Sequence, residues 1–189
     1  MPTKEEISHK ALELFLEKGY DKTPISDIAK GLGSSKGGLY HYFPNKEALL
    51  FYIIDTLMNR KLVPIMDKAD KISDPEKKLI YFLENFIKLL TEDDSTRLVM
   101  HDSKRLNPEN YKRIKRYFSR VYKLIYNTIS QMESQRKIKR FDKAFATFGA
   151  IGMCSWIFYW FDYSRKETSG KLAKTFIEIF LSGILKNNS

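Results

Sequence analysis

Apolar side chains recur at three- and four-residue intervals along nearly the whole chain, the spacing of helices that each bury one face. In residues 4–18, Ile7, Ala11, Leu14 and Phe15 share a stripe, and Gly19 stands where such a helix needs a left-handed stop. Thr23-Pro24 reads as an N-cap followed by proline at the first helical position, which predicts a helix to about Lys30. Gly31-Leu32-Gly33 makes a tight turn, after which Ser34 or Ser35 caps a short helix through about Tyr42. Pro44-Asn45 restarts the pattern, and a longer helix is predicted from Lys46 to about Lys61, kinked or ended by Pro64. Asp74-Pro75 opens a helix with the stripe Leu79, Phe82, Leu83, Phe86, Ile87 and Leu90. A short helix around 95–103 follows. Asn107-Pro108 then opens one of about 25 residues, with Tyr111, Ile114, Phe118, Val121, Ile125, Ile129 and Met132 in register. Asp142 is placed to begin a Trp-rich helix, and Thr168 or Ser169 the last one, with Leu172, Phe176, Ile179, Phe180 and Ile184 aligned. No strand alternation, repeat or low-complexity tract interrupts this. The fold class is therefore all-α, with about nine helices.

Composition narrows the setting. The 189 residues are 43% hydrophobic and 30% charged, enough to build a packed core. One cysteine, Cys154, excludes an internal disulfide, and no Cys/His cluster has the spacing of metal ligands. Glu5 and Glu6 stand where a signal peptide needs an apolar run, so a cytoplasmic location is expected. From Ala144 to Phe161 eighteen residues carry no charge, the lower limit for a membrane span. Eight of them are Ala, Gly, Ser, Thr or Cys, which suits a helix buried against other helices, and no membrane partner is expected. Net charge is +10, but residues 1–62 hold nine basic and eight acidic groups, while 104–143 hold thirteen and three. The basic excess thus lies on the second half of the chain, with Lys112, Arg113, Arg116 and Arg120 on one long helix.

The specific chemistry lies elsewhere, in the first 50 residues. Two short helices joined by a glycine turn are the sequence form of a helix-turn-helix, here at about 25–44. Ile25, Ile28, Ala29 and Leu32 supply its apolar seam, and Leu39 and Phe43 bind the second helix to the rest. Ser34, Ser35, Lys36, Gly37, Gly38, Tyr40, His41 and Tyr42 are left to face outward. Hydroxyls, a lysine and a helix N-terminus suit phosphate oxygens, and two glycines permit close approach to a groove. Tyr40, Tyr42 and His41 also admit a plainer reading as packing or surface residues.

The run Phe15–Leu50 resembles the DNA-binding domain of the TetR family of bacterial transcription regulators. The matching positions are Phe15, Gly19-Tyr20, Thr23, Ile28-Ala29-Lys30, Ser35-Lys36-Gly37, Leu39 to Phe43, and Lys46-Glu47 with Leu49. The resemblance implies a DNA-binding domain at 1–62 and a ligand-binding, dimerising helical body at 63–189. It implies a homodimeric repressor of double-stranded operator DNA that binds a small-molecule effector, with no cofactor. Thr23, Lys36, Tyr40, Tyr42 and Lys46 fall where the family usually contacts phosphates, and Ser35, Gly37, Gly38 and His41 where it meets base edges. Gly38 departs from the Thr, Ser or Ala common there, which shifts sequence reading toward Lys36, His41 and DNA shape.

The body must be read for its effector. Thirteen Phe, eleven Tyr and two Trp can line an apolar cavity or simply form core. The candidate lining is Phe82, Phe86, Leu90, Tyr117, Phe118, Val121 and Trp156, with Lys112, Arg113, Arg116 and Arg120 as candidate anion contacts. The same basic residues read equally as a solvated face. Tyr159, Trp160, Phe176 and Phe180 are candidate dimer-interface residues, being large apolar groups on two terminal helices. Ser155–Leu185 is similar to TetR-type regulators of fatty-acid and sterol degradation, through Trp156, Phe158, Trp160, Ser169, Phe176 and Gly183. That similarity implies an acyl-coenzyme A effector, although Tyr159 stands where those relatives often have Arg. A neutral or cationic lipophile, as in multidrug-type regulators, is the alternative effector. Another alternative is a basic helical protein whose 112–123 helix binds RNA or anionic membrane. No nucleophile–base–acid spacing or phosphate loop points to an enzyme.

Overall fold

The computed structural model describes residues 1–186. In chain order the helices are α1 (Lys4–Lys18), α2 (Ile25–Gly31), α3 (Lys36–Tyr42), α4 (Lys46–Leu57), α5 (Val63–Asp70) and α6 (Pro75–Glu92). They continue as α7 (Ser95–Asp102), α8 (Pro108–Ser134), α9 (Lys143–Ser155), α10 (Ile157–Trp160) and α11 (Ser169–Ile184). Among the described residues the single β pairing is an isolated antiparallel bridge between Ile138 and Leu185. The fold is all-α, as the apolar spacing predicts.

Local chemistry sets most of the helix starts. Thr3 and Glu6 form a reciprocal capping box on α1. The side chains of Ser35, Asn45, Asp74 and Asp142 accept backbone N–H groups at the starts of α3, α4, α6 and α9. Asn107 does the same for α8, accepting from the Asn110 N–H at 2.9 Å. At the end of α1, Gly19 has φ +85°, a region that a side chain would strain, and its N–H bonds Phe15 O at 3.0 Å.

Three elements differ from expectation. The helix predicted from Lys46 to about Lys61 stops at Leu57, widens into a π-helical turn at Met58–Leu62 and resumes as α5. Pro64 sits in the first turn of α5, where its missing N–H leaves no orphan, and the ladder loosens just before it. The Trp-rich helix breaks at Trp156, so α10 is one separate turn. Taking α4 with α5 and α9 with α10 gives back the expected nine segments. Finally, Pro24 is the N-cap of α2, with no side-chain cap bond. The Thr23 hydroxyl instead donates to Gly19 O at 2.8 Å and Leu14 O at 3.2 Å, tying the loop to the end of α1.

The chain forms two compact units that do not follow chain order. The first joins Met1–Met58 with Asp94–Ile114; the second comprises Asn59–Asp93 and the chain from Lys115 onward. In the first unit α1, α2, α3, α4 and α7 bury Ile7, Ala11, Phe15, Ile28, Leu39, Leu49, Leu50, Ile54 and Leu98. In the second, α6 packs on α5 and α11 and buries Leu79, Phe82, Leu83 and Ile87. Fully burying a phenylalanine such as Phe82 is worth about 1.5–3 kcal/mol, and its ring also stacks on Phe86 at 5.4 Å. Among the described residues no helix is long and apolar enough to cross a membrane.

Candidate nucleic-acid interface

The turn between α2 and α3 is closed by backbone bonds from Gly33 N to Lys30 O and from Ser34 N to Ala29 O. Gly33 lies at φ +59°, which reverses the chain without a side-chain clash. Ser35 then starts α3, its Oγ accepting the Gly38 N–H at 3.1 Å. Leu39 and the following Phe43 are 1% and 4% exposed and pin α3 inward. Lys36, Gly37, Tyr40 and His41 lie together on its outer face, and Tyr40 keeps 48% of its surface exposed. The His41 ring meets half-buried Tyr42 edge-on at 5.4 Å. A short helix thus presents a cation, a phenol, an imidazole and a bare backbone on one face, suited to phosphate and base edges in a major groove.

Two residues expected at phosphates are engaged internally. Thr23 has no exposed surface, and its hydroxyl bonds backbone oxygens of Gly19 and Leu14. The Lys46 ammonium donates to Tyr20 O at 2.8 Å and stands 4.3 Å from the Tyr20 ring. Burial, and secondarily the Glu47 charge, push the Tyr20 hydroxyl up to about 12.

The expected effector residues separate in the second unit. Phe82, Leu90 and Val121 are buried, Phe86 and Tyr117 half-buried, and Phe118 and Trp156 exposed by 37% and 60%. Between α6, α9 and α11 a void of about 10 Å³ remains, lined by Leu83, Ile87, Cys154, Phe176 and Phe180 among others. That volume holds about one water. Burial pushes the Cys154 thiol up to about 12, which leaves it unreactive. An open cleft of about 450 Å³ lies against Trp160, Phe161, Arg165, Lys171 and Leu172.

The basic helix is partly neutralised. Arg120 pairs with Asp67 at 2.5 Å and Asp70 at 3.3 Å, and the hydrogen bond from Arg120 to Asp67 leads in raising the guanidinium pKa. In the first unit Arg113 pairs with Asp55 at 3.7 Å and covers the Phe51 ring. Lys112 and Arg116 project into solvent. Among the described residues no group of side chains is arranged to hold a metal ion.

The dimer candidates also divide. Tyr159 and Trp160 are exposed and gather around Trp156, whereas Phe180 is 8% exposed and Phe176 half-buried beside the small void. The sequence reading missed Phe145 and Phe148 of α9, which are 75% and 61% exposed, and left Ile179 of α11 out of the interface, although it is 58% exposed. The signal that could have found them is that α9 is apolar on two faces. Thr147, Ala150 and Cys154 point inward, and Phe145 and Phe148 outward.

Residues 7–53 match the family model for bacterial regulatory proteins of the tetR family, and 73–184 the model for a tetracyclin-repressor-like C-terminal domain. The chain is 37% identical over 85 residues to YuxN, an uncharacterized HTH-type transcriptional regulator of Bacillus subtilis, a match covering 43% of this chain and 29% of that protein. It is 38% identical over 56 residues to IcaR, the negative regulator of the biofilm operon icaADBC in Staphylococcus epidermidis, covering 30% of each. The matches span less than half the length of these curated relatives. Among solved structures, PfmR, a TetR family regulator from Thermus thermophilus, superposes with TM-score 0.87 at 28% identity, over 93% of this chain and 97% of that one. AibR in complex with isovaleryl coenzyme A and operator DNA superposes with TM-score 0.84 at 25% identity, over 93% and 96%.

Proposed function

Because the chain belongs to the TetR family of bacterial regulatory proteins, and so is a transcriptional regulator and not an enzyme, we propose that it is a dimeric repressor of a palindromic operator, released by an amphipathic effector. The outer face of α3 carries this reading: Lys36, Gly37, Tyr40 and His41 stand clear of the core on a helix fixed by Ser35, Leu39 and Phe43. The outward apolar face of α9 supports a second copy as its cover, and a two-fold protein matches a palindromic site. Lys46 serves from inside, holding the loop after α1 in place.

For the effector, an acyl-coenzyme A is supported by AibR, which binds isovaleryl coenzyme A at 25% identity to this chain. The ion pairs of Arg113 and Arg120 favour a second reading, a neutral or cationic lipophile, because they leave fewer cations for a phosphate head. The core void is too small for an acyl chain, so in either reading the ligand selects a more open body.

DNA fragments selected by the purified protein test the central reading. Lys36→Ala and Tyr40→Ala are each expected to cost about 1–3 kcal/mol of specific binding to the selected palindrome while melting like the parent. Equal binding by both variants would remove α3 as the reading helix. Selection of RNA or anionic vesicles over any duplex would remove the operator altogether.

A further inference from the structure

The segment 94–114 is tied to the DNA-binding head by polar side chains that the outer face of α3 does not use. Glu47, in the first turn of α4, accepts three hydrogen bonds from the start of α8. Its Oε1 takes the Asn107 N–H and the Asn110 amide, both at 3.1 Å, and its Oε2 takes the Asn107 amide at 3.3 Å. Just before them, the Arg105 guanidinium donates to Asp21 and Asp102, each at 2.7 Å, and lies 5.6 Å from the Tyr20 ring. Farther along, Arg113 reaches Phe51 and Asp55 in the middle and second half of α4. The loop after α1 and both halves of α4 therefore grip one segment. From it α8 runs on as a single helix to Ser134.

These groups sit at the surface, where an ion pair contributes little to stability. Their concentration on one short segment has a geometric consequence instead. Backbone N–H groups, amides and a guanidinium fork are directional, so together they fix the angle between α4 and the start of α8. Through Lys46 and Tyr20 the same network reaches the loop that precedes α2.

We propose that Glu47 and Arg105 are positioning residues for operator binding: a clasp that fixes each recognition head on α8, so that a dimer presents two α3 helices at one spacing. The proposal rests on the reading of the protein as a two-headed repressor. Heads free to swing still bind a single half-site, but engaging the second half-site then costs the entropy of finding it, which lowers the effective concentration of the second head.

The test compares the selected palindrome with a duplex carrying one half-site, titrated with full-length parent, Glu47→Ala, Arg105→Ala and Glu47→Gln. Both alanine variants are expected to weaken palindrome binding about tenfold and to leave half-site binding within about twofold. Glu47→Gln keeps a carbonyl oxygen for the Asn107 and Asn110 donors and is expected to restore most of the loss. Equal loss on both duplexes would show that the head itself is damaged, and unchanged palindrome binding would show an idle clasp; either overturns the proposal. If the parent selects no duplex, the repressor reading falls, and the clasp with it.

Discussion

Gly37 is the residue at which stability and the proposed DNA recognition are expected to part. A methyl group added there would meet only Ser35 Oγ, at 3.8 Å, so nothing in the chain opposes alanine. Alanine is the better helix former by up to about 1 kcal/mol, yet the exposed face of α3 keeps glycine. On the proposed reading of α3 as the recognition helix, a Cβ there would stand between helix and groove. Gly37→Ala is therefore expected to raise the melting midpoint and lower operator affinity, and paired melts and titrations check it. Parent-like affinity would end the close-approach reading. Gly38 is a poorer probe, because a Cβ there would lie 3.0 Å from Ser34 Oγ and the cap itself would have to move.

Among the elements, α4 joins recognition to the clasp, and its start depends on one side chain. Asn45 Oδ1 accepts the Ala48 N–H at 2.8 Å, and the next turn carries Leu49 and Leu50, both without exposed surface. Asn45→Ala removes the cap and is expected to destabilise the protein by about 1 kcal/mol, read as a lower denaturant midpoint with unchanged slope. Asn45→Asp keeps the acceptor and is expected to stay near the parent. At its other end α4 passes into the π-helical turn Met58–Leu62, a loosening that follows from Pro64.

At the scale of the whole molecule, the exposed apolar residues support the proposed dimer. Phe145, Phe148, Trp156 and Trp160 on α9 and α10, with Ile179 on α11, are too many large groups to leave in water. Sedimentation of the parent is expected to show twice the 22.2 kDa chain mass. Phe145→Glu with Ile179→Glu is expected to give folded monomers that lose palindrome binding. A parent that sediments as a monomer at micromolar concentration would remove the dimer. Effector chemistry is read on the same assembly. Each buried methylene adds about 0.8 kcal/mol, so release of the operator complex is expected to strengthen along a series from isovaleryl to long-chain acyl-coenzyme A. Release by neutral or cationic lipophiles alone would favour the second reading.

Much of this protein is legible residue by residue along the chain. Ser35, Asn45, Asp74, Asn107 and Asp142 each cap a helix where the sequence places them, because a cap involves only the next two or three N–H groups. The glycine turn, the buried Leu39 and the exposed face of α3 follow from the same short-range geometry. Other assignments needed partners outside the helix in question, from four residues away to sixty. Thr23 reads as a cap until Leu14 and Gly19 are seen to take its hydroxyl. The bond from Lys46 to Tyr20 O has no local sign in the sequence, and Glu47 carries none of Asn107. Periodicity marks Phe180 and Ile179 alike as apolar positions of one helix, yet Phe180 turns into the core and Ile179 to the surface. Capping and helical phase are settled within a turn of the chain, so they can be read from neighbouring residues alone. Which face is covered, and which charge is already paired, depends on side chains brought from tens of residues away, and those answers exist only once the chain has folded.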